Sequence, residues 1–444
     1  MPDLVIVGSF VQLLQAFAPC FTAPSFQTFL VLACGWVQTL DRHTVTGVVR
    51  AARAVGWKHI RTFHRFFAAA RWVADKVGEI VVRMIDALVP ADEPLIVAID
   101  DTLGRHTGKR IAAASMHRDP LLSTGKKPFF HWGHLWVVAG ITVRAFDKSW
   151  CLPVLVRLYR GKKRCLADRR PYRKTTQLAA EMIRYLAELL PHRRLIVVGD
   201  AAYTNSSVIK GRPANVTVVG RSRLDAALYE LPPARRPGQR GRPRVRGAAL
   251  PSPAAQAAAP GTKWRAVTAT VYGETVTVKV LVIDALWYVA AGSELVRLIV
   301  VRGFPGHERD DVFVSTDPTM DAKTMVETFA LRWSLEVTFH ETKGKLGFED
   351  PQNRVEKAVE RTAPLALWLY SLTVLWYLKA GHRHRAARRP SLPWYRGKAS
   401  PAFSDMLATL RRASWVERIL DPHTLDATAR KQIRPLLEYL DAVA

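Results

Sequence analysis

Leu95-Ile-Val-Ala-Ile-Asp100-Asp101-Thr102 is the stretch on which the fold turns. Five apolar residues in a row are too few for a buried helix and suit a strand covered on both faces. The run ends in two adjacent acids, so the reading is a buried strand with carboxylates at its end. Working outward, Trp136-Val-Val-Ala-Gly-Ile-Thr-Val143 and Trp150-Cys-Leu-Pro-Val-Leu-Val156 read as two more strands. Thr176–Leu190 has the spacing of an amphipathic helix, and Leu195-Ile-Val-Val-Gly-Asp200 is a second buried strand ending in an acid. Strands, a crossover helix and a further strand predict an α/β core.

Upstream, residues 1–88 read as all-helical. Phe63, Phe66, Phe67 and Ala70 recur at helical spacing, as do Trp72, Val73, Val77 and Ile80. Arg50, Arg53, Lys58, Arg61 and Arg65 make this stretch basic and suited to DNA binding. Downstream, residues 206–300 read as a β-rich insertion, with alternating stretches at Val216–Val219, Trp264–Val271, Thr275–Val282 and Leu286–Ala290 around a Pro-, Gly- and Arg-rich loop at 231–262. Leu295–Val301 returns to a buried strand. Asp321 caps a helix running to about Lys343, with Gly344 ending it, and Val355–Leu378 is an apolar helix.

The 444 residues carry 65 Lys and Arg against 38 Asp and Glu, a net charge of +27, with a pI near 10.4. Such a field favours a polyanionic partner. Cys20, Cys34, Cys151 and Cys165 form no Cys-x-x-Cys pair and have no His at zinc-finger spacing, which fits reduced thiols rather than a zinc site. The apolar N-terminus has Asp3 where a signal peptide would be basic. Leu365–Leu378 is short for a membrane span. The expectation is a cytoplasmic, nucleoid-associated protein with no membrane partner.

The chemistry gathers on the helix before Gly344. At about 100° per residue, Arg332, Glu336, His340 and Lys343 share a stripe roughly 80° wide. A surface pair Arg332–Glu336 would give part of this pattern without any function. The spacing Phe329-x-x-Arg332-x-x-x-Glu336-x-x-x-x-x-x-Lys343 resembles the Tyr-Arg-Glu-Lys signature of a group of bacterial insertion-sequence transposases of the DDE superfamily, with Phe in place of Tyr. Ala98-Ile-Asp-Asp-Thr102 looks like the first-aspartate motif and Val198-Gly-Asp200-Ala-Ala-Tyr203 like the second. Arg65-Phe-Phe67, Arg221-Ser-Arg-Leu-Asp225, Glu349-Asp-Pro-Gln-Asn-Arg354 and Glu360-Arg-Thr-Ala-Pro-Leu365 are similar to further family segments.

The resemblance implies a ribonuclease-H-like α/β core with a β-rich insertion, preceded by a helical N-terminal domain. The expected layout is 1–88 helical and DNA-binding, 89–205 with 301–385 as the catalytic core, 206–300 as the insertion, and 386–444 as a basic, mostly helical C-terminal region. It implies a transposase that cleaves and joins mobile-element ends, double-stranded DNA as partner at ends and target, and a homodimer in the DNA complex. Catalytic and metal-binding roles fall to Asp101, Asp200 and Glu336, with two Mg²⁺ ions or Mn²⁺ as a substitute. Two ions about 3.5–4 Å apart activate the attacking oxygen and stabilise the leaving one, and such hard cations require oxygen ligands. Strand periodicity puts Asp100 and Asp101 on opposite faces and cannot choose between them. The resemblance favours Asp101, the acid directly before Thr, with Asp100 as the alternative.

Arg332, Lys343, His340, Arg221 and Arg223 are the expected DNA contacts, with Trp264, Trp287 and Tyr288 as platforms for an extruded base. Four basic clusters add to these: Arg160–Arg164 with Arg169, Arg170, Arg173 and Lys174; Arg235–Arg246; Arg332 with Lys343 and Lys345; and Arg383–Lys398. The competing readings are a catalytically inactive DNA-binding derivative and another ribonuclease-H-like nuclease.

Overall fold

The computed structural model describes residues 2–119, 122–124, 126–235, 241–387 and 400–419, together with 426, 428, 429, 431–433 and 435. Among them the chain forms one sheet of twelve strands. These are β1 (Leu95–Arg105), β2 (Ser115–Arg118), β3 (Phe130–Ala145), β4 (Lys148–Tyr159), β5 (Leu195–Gly199), β6 (Val216–Ser222), β7 (Leu228–Tyr229), β8 (Ala249–Leu250), β9 (Arg265–Val271), β10 (Glu274–Leu286), β11 (Leu295–Arg302) and β12 (Asp311–Ser315). The helices are α1 (Gly8–Gln15), α2 (Ala23–Gln38), α3 (Val45–Ala51), α4 (Ile60–Ala68), α5 (Ala74–Asp86), α6 (Lys162–Ala167), α7 (Thr175–Leu189), α8 (Ser206–Ile209), α9 (Pro253–Ala258), α10 (Tyr288–Ala291), α11 (Ala322–Leu331), α12 (Trp333–Lys345), α13 (Glu356–Lys379) and α14 (Phe403–Ile419).

The sheet runs β2-β3-β1-β5-β6-β12-β11-β10-β7-β8, with β4 paired to β3 and β9 to β10. β1, β5 and β6 are parallel, whereas β1–β3 and β3–β4 are antiparallel. This mixed α/β arrangement is compatible with a ribonuclease-H-like core. The strands of 206–300 do not form a sheet of their own. They continue the same sheet, because β6 pairs with β5 on one side and with β12 on the other.

Three local readings change. β1 does not end at its acids: it spans eleven residues to Arg105, because β3 keeps pairing with it through Asp100↔Val138 and Asp101↔Val137 to Arg105↔Gly133. What stops at the acids is the parallel partner, whose pairing closes at Ile99↔Gly199. Second, the single helix read from Asp321 to Lys343 is two. A turn at Arg332, where its amide bonds Phe329 rather than the carbonyl four back, separates α11 from α12, and α12 passes through Gly344 to Lys345. Third, the stretch Leu286–Ala290, read as extended, ends in the short helix α10.

The N-terminal helices share one hydrophobic core with the sheet and α13. α13 is buried all round from Arg361 to Tyr377, as befits a helix enclosed by other elements. Its Trp368 indole donates to the Val154 carbonyl of β4 at 3.1 Å. Its Trp376 indole donates to Ser9 at 2.9 Å. Buried Arg361 donates to the carbonyls of Phe66, Phe67 and Ala70 at 3.3, 3.0 and 2.9 Å and also to that of Trp72. Those carbonyls lie at the end of α4 and in the segment just after it, where few helical donors remain; the Phe66 carbonyl also accepts the Trp72 indole at 2.8 Å. Among the described residues no helix is long and apolar enough to cross a membrane.

Candidate active site

The site lies where the parallel pair β1–β5 ends. Gly199 closes β5, and a Cβ there would stand 2.7 Å from the Cβ of Tyr203. Its absence lets the chain after Asp200 fold back tightly. Asp200 Oδ1 accepts the amides of Ala202 and Tyr203 at 2.9 and 3.2 Å, an Asx turn that fixes the carboxylate. The same turn brings the Tyr203 hydroxyl to Asp101, where it donates to Oδ2 at 2.6 Å.

Strand alternation separates the two adjacent acids. Asp101 faces Tyr203. Asp100 faces Arg332, whose Nη1 lies 2.6 Å from Asp100 Oδ2 and 2.7 Å from Glu336 Oε1. One guanidinium nitrogen therefore joins Asp100 on β1 to Glu336 on α12. Asp100 has both oxygens engaged, since Oδ1 accepts the Asp101 amide at 2.8 Å. In Asp101, Asp200 and Glu336 one oxygen is held and the other has no hydrogen-bond partner among the described residues.

Burial drives the Asp100 carboxyl up to about 7, and the negative charges of Asp200 and Asp101 push it the same way against the pull of Arg332. Burial also raises Asp101, with Asp200 adding and the Tyr203 bond opposing. For Arg332 burial acts to lower the pKa, but Asp100 and Glu336 outweigh it and hold it above its ordinary value. The Arg332 Nε is nonetheless buried without a partner, so the guanidinium is incompletely satisfied where it stands.

The remaining expected contacts divide. Lys343 Nζ donates to the Leu103 carbonyl of β1 at 2.7 Å and lies 3.8 Å from Glu349. His340 is exposed on α12. Arg221 is committed to Asp311, a buried acid that also meets His307. Arg223 pairs with its neighbour Asp225 on the surface at 2.6 Å. Phe329, at the Tyr position of the resemblance, is buried and stacks on Phe313 with ring centroids 4.1 Å apart. Trp264 lies under Arg302, and Tyr288 under Arg246 and Lys210. The basic stretches 236–240 and 388–399 lie outside the described residues.

Two aromatic residues beside the site had no sequence signal of their own. Tyr272, at the turn between β9 and β10, has its ring centroid 5.9 Å from that of Trp333, and both are about half exposed. Tyr272 also lies in the field of Arg332 and Glu336. Tyr203 stood inside a quoted motif, and its spacing from Asp200 was the available clue. Carboxylates suit a hard divalent cation. Among the described residues, however, no group of three or more His, Cys, Asp or Glu is drawn together as a metal cage, and Arg332 stands between Asp100 and Glu336.

None of the curated proteins compared with the chain matches it. The family model described as DDE superfamily endonuclease matches residues 16–277, more than half of the chain, spanning Asp100, Asp101 and Asp200 and ending before Glu336. By that match, which covers both strands that carry acids at the site, the chain belongs to the DDE superfamily endonucleases.

Proposed function

We propose that the protein is a DNA transposase that binds the ends of a mobile element and performs metal-dependent strand cleavage and strand transfer. Its family acts on DNA as a nuclease and generally uses divalent metal ions. In this reading Asp101, Asp200 and Glu336 are the metal ligands and Asp100 is the anchor for Arg332. The observation that carries it is the pattern of free oxygens. Each of those three acids is oriented through one oxygen and leaves the other open, while Asp100 spends both on protein partners. Bound Mg²⁺ would polarise the scissile phosphate and the attacking oxygen.

The chain's own residues do the rest. Tyr203 and the Asx turn hold Asp101 and Asp200 in fixed directions. Arg332 neutralises two acids that would otherwise repel, and a guanidinium held by carboxylates can exchange them for a DNA phosphate. Lys343, tied to β1 beside Glu349, supplies a second positive charge on the same helix. The net charge of +27 supports a DNA partner. Mn²⁺ as substitute cofactor, DNA contacts by His340, Arg221 and Arg223, and a homodimer on DNA belong to the same proposal.

The test uses a supercoiled plasmid carrying the DNA that flanks the gene. The full chain should nick it in Mg²⁺ and not in chelator. Asp200→Asn and Glu336→Gln should each lower nicking at least about 100-fold while still binding the DNA. Undiminished Mg²⁺-dependent nicking by Glu336→Gln would remove the assignment. Nicking without joining of pre-cut ends to a target would leave a nuclease and not a transposase.

A further inference from the structure

A groove of about 1090 Å³ opens on the face of β1 that carries Asp101. That is larger than the usual small-ligand site, roughly 300–1,000 Å³. β2, the loop after β4, α6 and the start of α7 build its walls. Among the described residues, Asp101 is the only acid on them.

The structure sorts the basic cluster around this groove into two kinds. Arg160 and Arg170 are bound to Glu356, Arg173 to Glu181 and Arg164 to Asp168. Lys162, Lys163, Lys174 and Arg118 line the groove and have no carboxylate partner among the described residues. Their charge is therefore available to a ligand. The first turn of α7, Thr175 and Thr176, is also on the wall, where its amide dipoles favour an anion. Between the cations stand aromatic rings. The Tyr159 and Tyr172 hydroxyls meet at 3.1 Å, and His117 packs edge-on against Tyr159 with centroids 6.0 Å apart. Tyr172 is partly exposed, and Met116 on β2 is more than half exposed.

Unpaired cations beside an accessible ring are what a single nucleic-acid strand can use: phosphates meet the Lys and Arg, and an unstacked base lies on Tyr172. Duplex DNA keeps its bases stacked inward and could use only the charges. We propose that this groove is a subsite for a single DNA strand, holding unpaired nucleotides of the strand that runs past the cleavage point at Asp101. The inference rests on the DNA-acting reading above and adds which form of DNA this face takes.

Fluorescence anisotropy in chelator tests it without cleavage, using a 15-residue oligothymidylate and a duplex of equal length. Wild type should bind the single strand. The triple variant Lys162→Ala, Lys163→Ala, Lys174→Ala should lose at least about tenfold more affinity for the single strand than for the duplex. Its log–log salt slope on the single strand should be shallower by about 2, at roughly 0.7 per lost contact. Tyr172→Ala should weaken single-strand binding roughly fivefold or more, and Tyr172→Phe should restore it, because stacking needs the ring and not the hydroxyl. Equal losses on both DNAs, or none, would overturn the proposal. Wild type binding duplex but no single strand would overturn it while leaving the DNA-acting reading intact. Binding to neither DNA would overturn both.

Discussion

Arg332, partly buried, and Arg361, fully buried, both lie in segments that resemble family motifs, yet they stand in opposite surroundings. Arg332 lies among carboxylates, between Asp100 and Glu336, with its Nε unsatisfied. Arg361 lies among carbonyls, donating to Phe66, Phe67, Ala70 and Trp72, with its guanidinium 4.3 Å from the Trp72 ring centroid. Carbonyls are neutral, so nothing competes with them for that cation, and the clamp is permanent. Burial lowers the Arg361 pKa to about 10, which still leaves it charged at neutral pH. Carboxylates, by contrast, can trade one cation for another. A charge held by acids is suited to exchange, and a charge held by carbonyls is suited to staple the N-terminal helices to α13.

The largest expected effect follows from the staple. Arg361→Ala removes the buried donor that ties four carbonyls to α13 and should cost about 3–5 kcal/mol in a denaturant melt, or prevent folding. Arg361→Lys should recover only part, since an ammonium lacks the planar fork. A loss under 1 kcal/mol would erase the distinction between the two arginines.

Next comes a pH effect in the β1–β3 ladder between the two regions. Burial holds His134 at about 4, well below the ordinary 6.5, and His117 behaves likewise. His134 is bonded to His106 at 2.9 Å and to the Ala112 carbonyl at 2.8 Å. The folded state keeps these rings neutral, so the unfolded chain takes up protons first. Stability should be full above about pH 6.5 and fall as pH drops towards 4, by at most on the order of 3 kcal/mol for His134. His134→Gln should flatten the pH dependence of the melt through that window; an unchanged profile would place the protonation elsewhere.

The smallest effect on stability should be Arg332→Ala, about 1 kcal/mol at pH 7. Asp100, with its carboxyl already near 7, can take a proton when its partner is lost. DNA binding is where Arg332 should register: in chelator, end affinity should fall and the log–log salt slope should be shallower by about one. Unchanged affinity and slope would reduce Arg332 to an internal ion pair.

How much of this was legible in the residues depends on the range of the signal. β5 and the first five residues of β1 are continuous apolar runs, β11 is one broken only by Arg297, and α13 is mostly apolar from Ala363 on, so their existence follows from local pattern. The extension of β1 past Asp101 does not, because it comes from pairing with β3, and Thr102–Arg105 carries no apolar run to announce it. The break at Arg332 coincides with its contact to Asp100, 232 positions away, which no local pattern announces. The stripe of Arg332, Glu336 and Lys343 could be computed from helical geometry, but which acid Arg332 would meet could not. The groove was visible only as a run of charge, since the glutamates that neutralise Arg160 and Arg170 lie on α13.

The division between Asp100 and Asp101 is the point where the account is most exposed, and plasmid nicking by Asp100→Asn beside Asp101→Asn measures it directly. The account predicts that Asp101→Asn lowers Mg²⁺-dependent nicking at least about 100-fold while DNA binding persists. Asp100→Asn, which removes only the anchor for Arg332, should retain activity within roughly tenfold. Loss of nicking in Asp100→Asn with Asp101→Asn still active would contradict it, and would make Asp100 the acid that acts with Glu336.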